Sequence, residues 1–172
     1  SYAPQLFGML PMLLAEAANG QFGNLMAQSR MLEQLIGEQI SVPLQLSVMC
    51  TEDAPGLRVD PSDVGTLLGT EFVDYTLAQC AVWRRGTMPA DFHDAVQSDL
   101  PVLLLSGELD PVTPPRYADE VQRTLPNSRH FVFRGQGHSV MGVGCGPRLV
   151  AEFIATADAK ALDGNCLDQL QY

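Results

Sequence analysis

Pro101-Val102-Leu103-Leu104-Leu105-Ser106-Gly107-Glu108-Leu109-Asp110-Pro111-Val112-Thr113-Pro114-Pro115 opens with an unbroken apolar run behind a proline. Four consecutive aliphatic residues with no polar alternation are the pattern of a parallel strand buried on both faces. Ser106 to Asp110 leaves that strand as a loop, and Thr113 followed by Pro114 reads as an N-cap and first helical residue. The helix then runs through Ala118, Val121 and Leu125 to a turn at Pro126-Asn127-Ser128. A second strand, His130 to Phe133, leads into the loop Gly135-Gln136-Gly137-His138. A last helix over about Pro147 to Ala157 carries Leu149, Val150, Phe153 and Ile154 on its inner face. The order is strand, Asp loop, helix, strand, His loop, helix: an α/β arrangement.

That order has a chemical consequence. Successive strands of a parallel sheet point the same way, so both loops emerge at one edge, where ligand and catalytic groups of open α/β sheets gather. Asp110 and His138 should therefore face each other at adjacent strand ends. A carboxylate on one ring nitrogen fixes the tautomer and stabilises the imidazolium formed when the other nitrogen takes a proton. Glycines on either side suit a loop that turns sharply to aim its imidazole. Glu108, two residues earlier in the same loop, is a second carboxylate that could substitute for Asp110.

Upstream the pattern changes. From Tyr2 to about Ile40, Leu6, Met9, Leu10, Leu13, Leu14 and Ala17, then Leu25, Met26, Leu32, Leu35 and Ile36, recur at helical spacing. Asn19-Gly20 separates two helices. Their methionines and leucines read as core packing. Pro43 to Cys50 alternates, which predicts a short strand or an extended segment. Thr51 to Gly69 reads as loop, and a further helix covers Glu71 to Trp83. The division is residues 1–90, mainly helical, and residues 91–172, α/β.

The 172 residues are 46% hydrophobic and 17% charged, which excludes a disordered chain. A net charge of −10 and a pI near 4.5 exclude nucleic acid as a partner. Lys160 is the single lysine among ten basic residues, so no polybasic membrane patch exists. The apolar stretch from Leu6 to Ala18 is interrupted by Pro11 and Glu16 and is too short for a membrane span. His93 beside Asp94, and His130, read as structural or exposed groups, since no third ligand stands at metal-binding spacing. The run Gly142, Gly144, Gly146 follows no apolar strand directly and lacks the context of a dinucleotide site. No cofactor is implied.

Cys50, Cys80, Cys145 and Cys166 have no zinc-type spacing and are either core thiols or disulfides. Of the three possible pairings, the economical one joins neighbours, Cys50 with Cys80 and Cys145 with Cys166. Disulfides would place the protein in an oxidising compartment, secreted or periplasmic.

The segment Leu103 to Pro115 resembles the acid-bearing region of α/β-hydrolases, and more narrowly that of the tripeptidyl-aminopeptidase-like, proline-iminopeptidase-related branch. Pro126-Asn127-Ser128-Arg129-His130 and Gly135-Gln136-Gly137-His138-Ser139 are similar to that branch's histidine region. Ser47-Val48-Met49-Cys50-Thr51-Glu52-Asp53-Ala54-Pro55 resembles its cap cysteine and acidic motif, and Cys80-Ala81-Val82-Trp83 and Leu162-Asp163-Gly164-Asn165-Cys166 also fit. The resemblance implies the C-terminal portion of an α/β-hydrolase sheet, β-α-β-α, behind part of a helical cap. It implies a serine peptidase acting on peptides with free amino termini. Asp110 would orient His138, which acts as base and then acid. Glu52 and Asp53 would hold the substrate ammonium, or serve only as loop acids.

The same resemblance implies a serine in a G-x-S-x-G elbow upstream of the acid. The chain has none: Gly137-His138-Ser139-Val140-Met141 carries Met at the second glycine position and sits on the wrong element, and Ser139 reads as a loop residue. A glycine-rich oxyanion segment is also missing. The expectation is a C-terminal hydrolase fragment, inactive alone. Its partners would be a peptide substrate and an N-terminal hydrolase portion in the same or a separate chain, and its open sheet edge would favour self-association. The Asp–His half alone equally suits an esterase, an epoxide hydrolase or a non-catalytic binding module.

Overall fold

The computed structural model describes residues 4–37, 40–66 and 69–169. Eight elements follow in order: α1 (Pro4–Ala18), α2 (Gly23–Gly37), α3 (Val42–Glu52), α4 (Glu71–Val82), β1 (Val102–Gly107), α5 (Pro115–Gln122), β2 (Ser128–Phe133) and α6 (Gly146–Thr156). Short 3-10 turns cover Pro61–Asp63 and Asn165–Gln169. The elements form two compact units, one of Gly23–His93 and one of Ser1–Phe22 with Asp94–Tyr172.

In the second unit β1 and β2 pair in parallel, from Val102 opposite Ser128 to Gly107 opposite Phe133. Alternation of side chains across the pleat splits the strands between two layers. Leu103, Leu105, Phe131 and Phe133 face a core completed by Val140, Leu149 and Phe153 of the α6 region and by Leu162 and Leu167 of the C-terminal segment. The opposite face carries Ser106 and His130, which the crossover helix α5 meets through Asp119. The disulfide Cys145–Cys166 fastens the C-terminal segment to the start of α6. Strand, crossover and strand fall where the apolar run and turn residues predict them.

Several expectations change. Val102 to Leu105 are half-buried rather than buried on both faces, because β1 has one hydrogen-bonded neighbour among the described residues. Ile154 is 75% exposed; it lies about 140° round the helix from Leu149, past the stripe that Leu149 and Phe153 share. The segment Pro43–Cys50 is helical, not a strand. Pro43 sits in the first turn, where its missing N–H costs nothing. Leu46, Cys50 and Ala54, four residues apart, then turn to a common core. Apolar alternation over so short a stretch fits either period.

The helix stop at Asn19-Gly20 is as expected, with Gly20 at φ +79°. Tyr2 lies outside the described residues, as do the side chains of Leu6, Leu35 and Ile36. Leu13 is buried, but Leu14 and Met26, assigned by periodicity to a core, are 61% and 50% exposed.

The unit of residues 23–93 is organised around cysteine. Cys50 and Cys80 are fully buried and bonded to each other, joining α3 to α4, with Ala54, Leu46 and Trp83 packed around them. Trp83 Nε1 donates to Ser47 Oγ at 3.2 Å, and Gly86 N–H to Thr51 Oγ1 at 2.8 Å. A bridge of this kind contributes roughly 2–4 kcal/mol, a large share for so small an apolar cluster. The double variant Cys50→Ala/Cys80→Ala should lose amide protection across α3 and α4 in hydrogen exchange while β1 and β2 keep theirs. Protection retained in α3 and α4 would show that the bridge is not their anchor.

Candidate active site at the carboxyl edge of the sheet

Both strands end level, so the loops that follow leave the sheet side by side. They are laced together. Glu108 N–H donates to Phe133 O at 3.0 Å, Leu109 N–H to Gln136 O at 2.8 Å, and Gly135 N–H to Glu108 Oε2 at 2.8 Å. The loop after β2 crosses directly over Gly107, where a Cβ would collide with the carbonyl oxygens of Gly137 and Gln136. Only glycine permits that crossing. Glu108 is thereby a loop clasp, not a substitute for Asp110.

The crossing sets Asp110 against His138, with Oδ2 to Nδ1 at 2.9 Å. The Asp110 side chain is 4% exposed and the imidazole 30%. Asp110 Oδ1 accepts Val112 N–H at 2.9 Å and Thr113 N–H at 3.1 Å, and Oδ2 also accepts the Thr113 hydroxyl at 2.7 Å. Burial by itself pushes this carboxyl up. The Thr113 hydroxyl, the Thr113 and Val112 amides and His138 outweigh it and hold Asp110 well below the usual carboxylate range.

Thr113 does not cap a helix as predicted. The cap position of α5 is Pro114, and the hydroxyl is turned back onto Asp110. Pro114 and Pro115 delay the helix by one residue, because a residue before proline is steered out of the helical region. This participant was missed from sequence; the prolines behind Thr113 are the signal that could have revealed it. His138 is followed by Ser139, an exposed residue at φ +69°, a left-handed conformation unusual without glycine. Gly142, Gly144 and Gly146 form the turn into α6, where a Cβ on Gly146 would strike the Val140 and Met141 carbonyls.

A second histidine array was also missed. His130 Nε2 lies 2.9 Å from Ser106 Oγ and its Nδ1 3.0 Å from Asp119 Oδ1. These are the residue types of a hydrolytic triad, but Ser106 is a buried strand residue and the His130 side chain is 5% exposed. The array ties β1, β2 and α5 together and offers no approach to a substrate. Glu52 ends α3 and Asp53 is its C-cap residue, both in the unit of residues 23–93. Among the described residues no cluster of three His, Cys, Asp or Glu could hold a metal ion, and no helix is long and apolar enough to cross a membrane.

A parallel β-α-β unit with an aspartate and a histidine in contact at adjacent strand ends is consistent with the acid and histidine arms of an α/β-hydrolase. The family described as TAP-like protein matches residues 66–166, more than half of the 172. The chain belongs to that family, and what it carries is a TAP-like α/β-hydrolase C-terminal region. No curated protein and no solved structure matches it significantly.

The depressed Asp110 pKa has a measurable sign. Its contribution to stability is complete above the unfolded carboxyl value of about 3.9 and is lost as pH falls from there toward the lower native value. Urea unfolding of the wild type and Asp110→Asn should therefore converge as pH is taken from about 5 to about 3. A gap that widens over this interval would mean that the native carboxyl is not held ionised.

Proposed function

We propose that the chain supplies the acid and the histidine of a serine peptidase that removes residues or short peptides from free amino termini. The observation that carries this reading is the Asp110–His138 pair, whose carboxylate is saturated by donors while its imidazole remains partly exposed. The nucleophile is a serine outside residues 1–172, so the chain alone is inactive. That serine's proton passes to His138 Nε2 as its Oγ attacks the carbonyl, and His138 returns the proton to the leaving amine. Asp110 keeps Nδ1 protonated and stabilises the imidazolium.

In this reading residues 1–90 are part of a helical lid and residues 91–172 the end of the catalytic core. The outer edge of β1, whose aliphatic run is only half-buried, receives the N-terminal hydrolase portion, and a second copy in its absence. Two disulfides favour an exported protein. Glu52 and Asp53 are the candidates for holding the substrate ammonium.

In the polypeptide that includes the serine segment, Asp110→Asn or His138→Ala should lower kcat by roughly 10³–10⁴-fold. His130→Ala should act on stability instead, by roughly 1–3 kcal/mol, because it strands the buried Ser106 hydroxyl. The 172-residue chain should not react with a fluorophosphonate. Labelling of the chain, or full activity in His138→Ala, would remove this assignment. Glu52→Gln should raise KM for unblocked peptides and spare N-blocked esters; equal losses on both would exclude an ammonium anchor.

A further inference from the structure

Thr113 gives Asp110 two donors, its N–H to Oδ1 and its O–H to Oδ2. Pro111 and Pro114-Pro115 restrict the backbone around Thr113, and the bond to Oδ2 holds its hydroxyl on the carboxylate. Thr113 Oγ1 stands 2.7 Å from Asp110 Oδ2 and 3.3 Å from His138 Nδ1, itself 2.9 Å from the same Oδ2. Three polar atoms in mutual contact here share two protons. The carboxylate brings none, so the hydroxyl proton and the Nδ1 proton both point at Oδ2. With its proton spent, the hydroxyl shows only lone pairs to Nδ1, which selects the Nδ1–H tautomer and reserves Nε2 for proton uptake.

We propose that Thr113 is a positioning residue that tunes the basicity of His138 by competing with it for Asp110 Oδ2. Its catalytic consequence rests on the hydrolase reading above; the coupling itself does not. Two effects of the hydroxyl oppose each other. Donation to Oδ2 withdraws charge that would otherwise stabilise the imidazolium, whereas the lone pair near Nδ1 stabilises it. The first is a short charge-assisted bond, roughly twice as strong as a neutral one. The second, at 3.3 Å, is beyond the usual hydrogen-bond range. Donation wins, so loss of the hydroxyl makes His138 more basic. Asp110 places its charge directly on the imidazole; Glu108 is engaged by Gly135 N–H, and Arg134 precedes the glycine loop as an exposed residue.

The chain has three histidines, so a long-range proton–nitrogen NMR titration resolves each, with His130 as internal reference. Thr113→Val, which keeps the branched shape, should move the His138 titration curve to higher pH, leave the His130 curve unmoved, and lose its effect in an Asp110→Asn background. Thr113→Ser should restore the wild-type value, and Thr113→Ala carries the same expectation as valine should valine unfold the chain. No rise, a fall, an equal rise with serine, or persistence without the Asp110 carboxylate would each overturn the coupling. In the polypeptide with the serine segment, the acid limb of kcat/KM should move up with the His138 pKa. A shifted pKa with an unmoved limb would overturn the catalytic role while the NMR result still stands.

Discussion

The close passage of the loop after β2 over Gly107 is the constraint on which the site depends. The parallel register puts Gly107 opposite Phe133, so both strands stop at one level. Without a Cβ at 107, Gly137 and Gln136 can lie against the end of β1, and the lacing bonds of Glu108, Leu109 and Gly135 form as a consequence. Those bonds carry Asp110 and His138 to their 2.9 Å contact. The dyad is thus a product of backbone packing at Gly107, fastened by the Glu108 side chain across the two loops.

Two histidines hydrogen-bonded to carboxylates stand within one β-α-β unit, and their surroundings assign them opposite tasks. Asp110 is buried and accepts four donors, which keeps it ionised; its imidazole is partly open. Asp119 is 62% exposed and its imidazole is closed in, with Ser106 immobile in the ladder. A carboxylate in water is a weak electrostatic partner, and a serine inside a strand cannot approach a carbonyl group. Residue types alone would favour the second array as a triad; access and burial favour the first as the pair that serves the proposed chemistry.

The strand–helix–strand–helix order and the Asp–His pairing were legible because each depends on a local signal: an unbroken aliphatic run, prolines and glycines at turns, and an α/β rhythm that sends two loops to one edge. The cysteine pairing followed from loop economy. Less was legible where one local pattern serves two structures. Pro43 to Cys50 fits both periods, and only the shared core of Leu46, Cys50 and Ala54 decides for a helix. Thr113 carries a capping signature, yet two prolines displace the helix start and free the hydroxyl for Asp110. Ser106 and His130 were invisible as a pair because two residues on separate strands and one on a helix meet only after the crossover folds back.

His138 is also held from downstream. Ser139 adopts a left-handed conformation that costs a residue with a Cβ about 1–2 kcal/mol, and a neighbourhood must over-determine such a residue for it to persist. That neighbourhood is built in. Val140 is buried in the core, Gly146 is pressed against the Val140 and Met141 carbonyls, and Cys145 is bonded to Cys166 of the segment packed over β2. The imidazole therefore sits between two fixed points, the Gly107 crossing before it and the disulfide-tied turn after it. The bond that anchors the C-terminal segment thus also bears on the turn that aims His138.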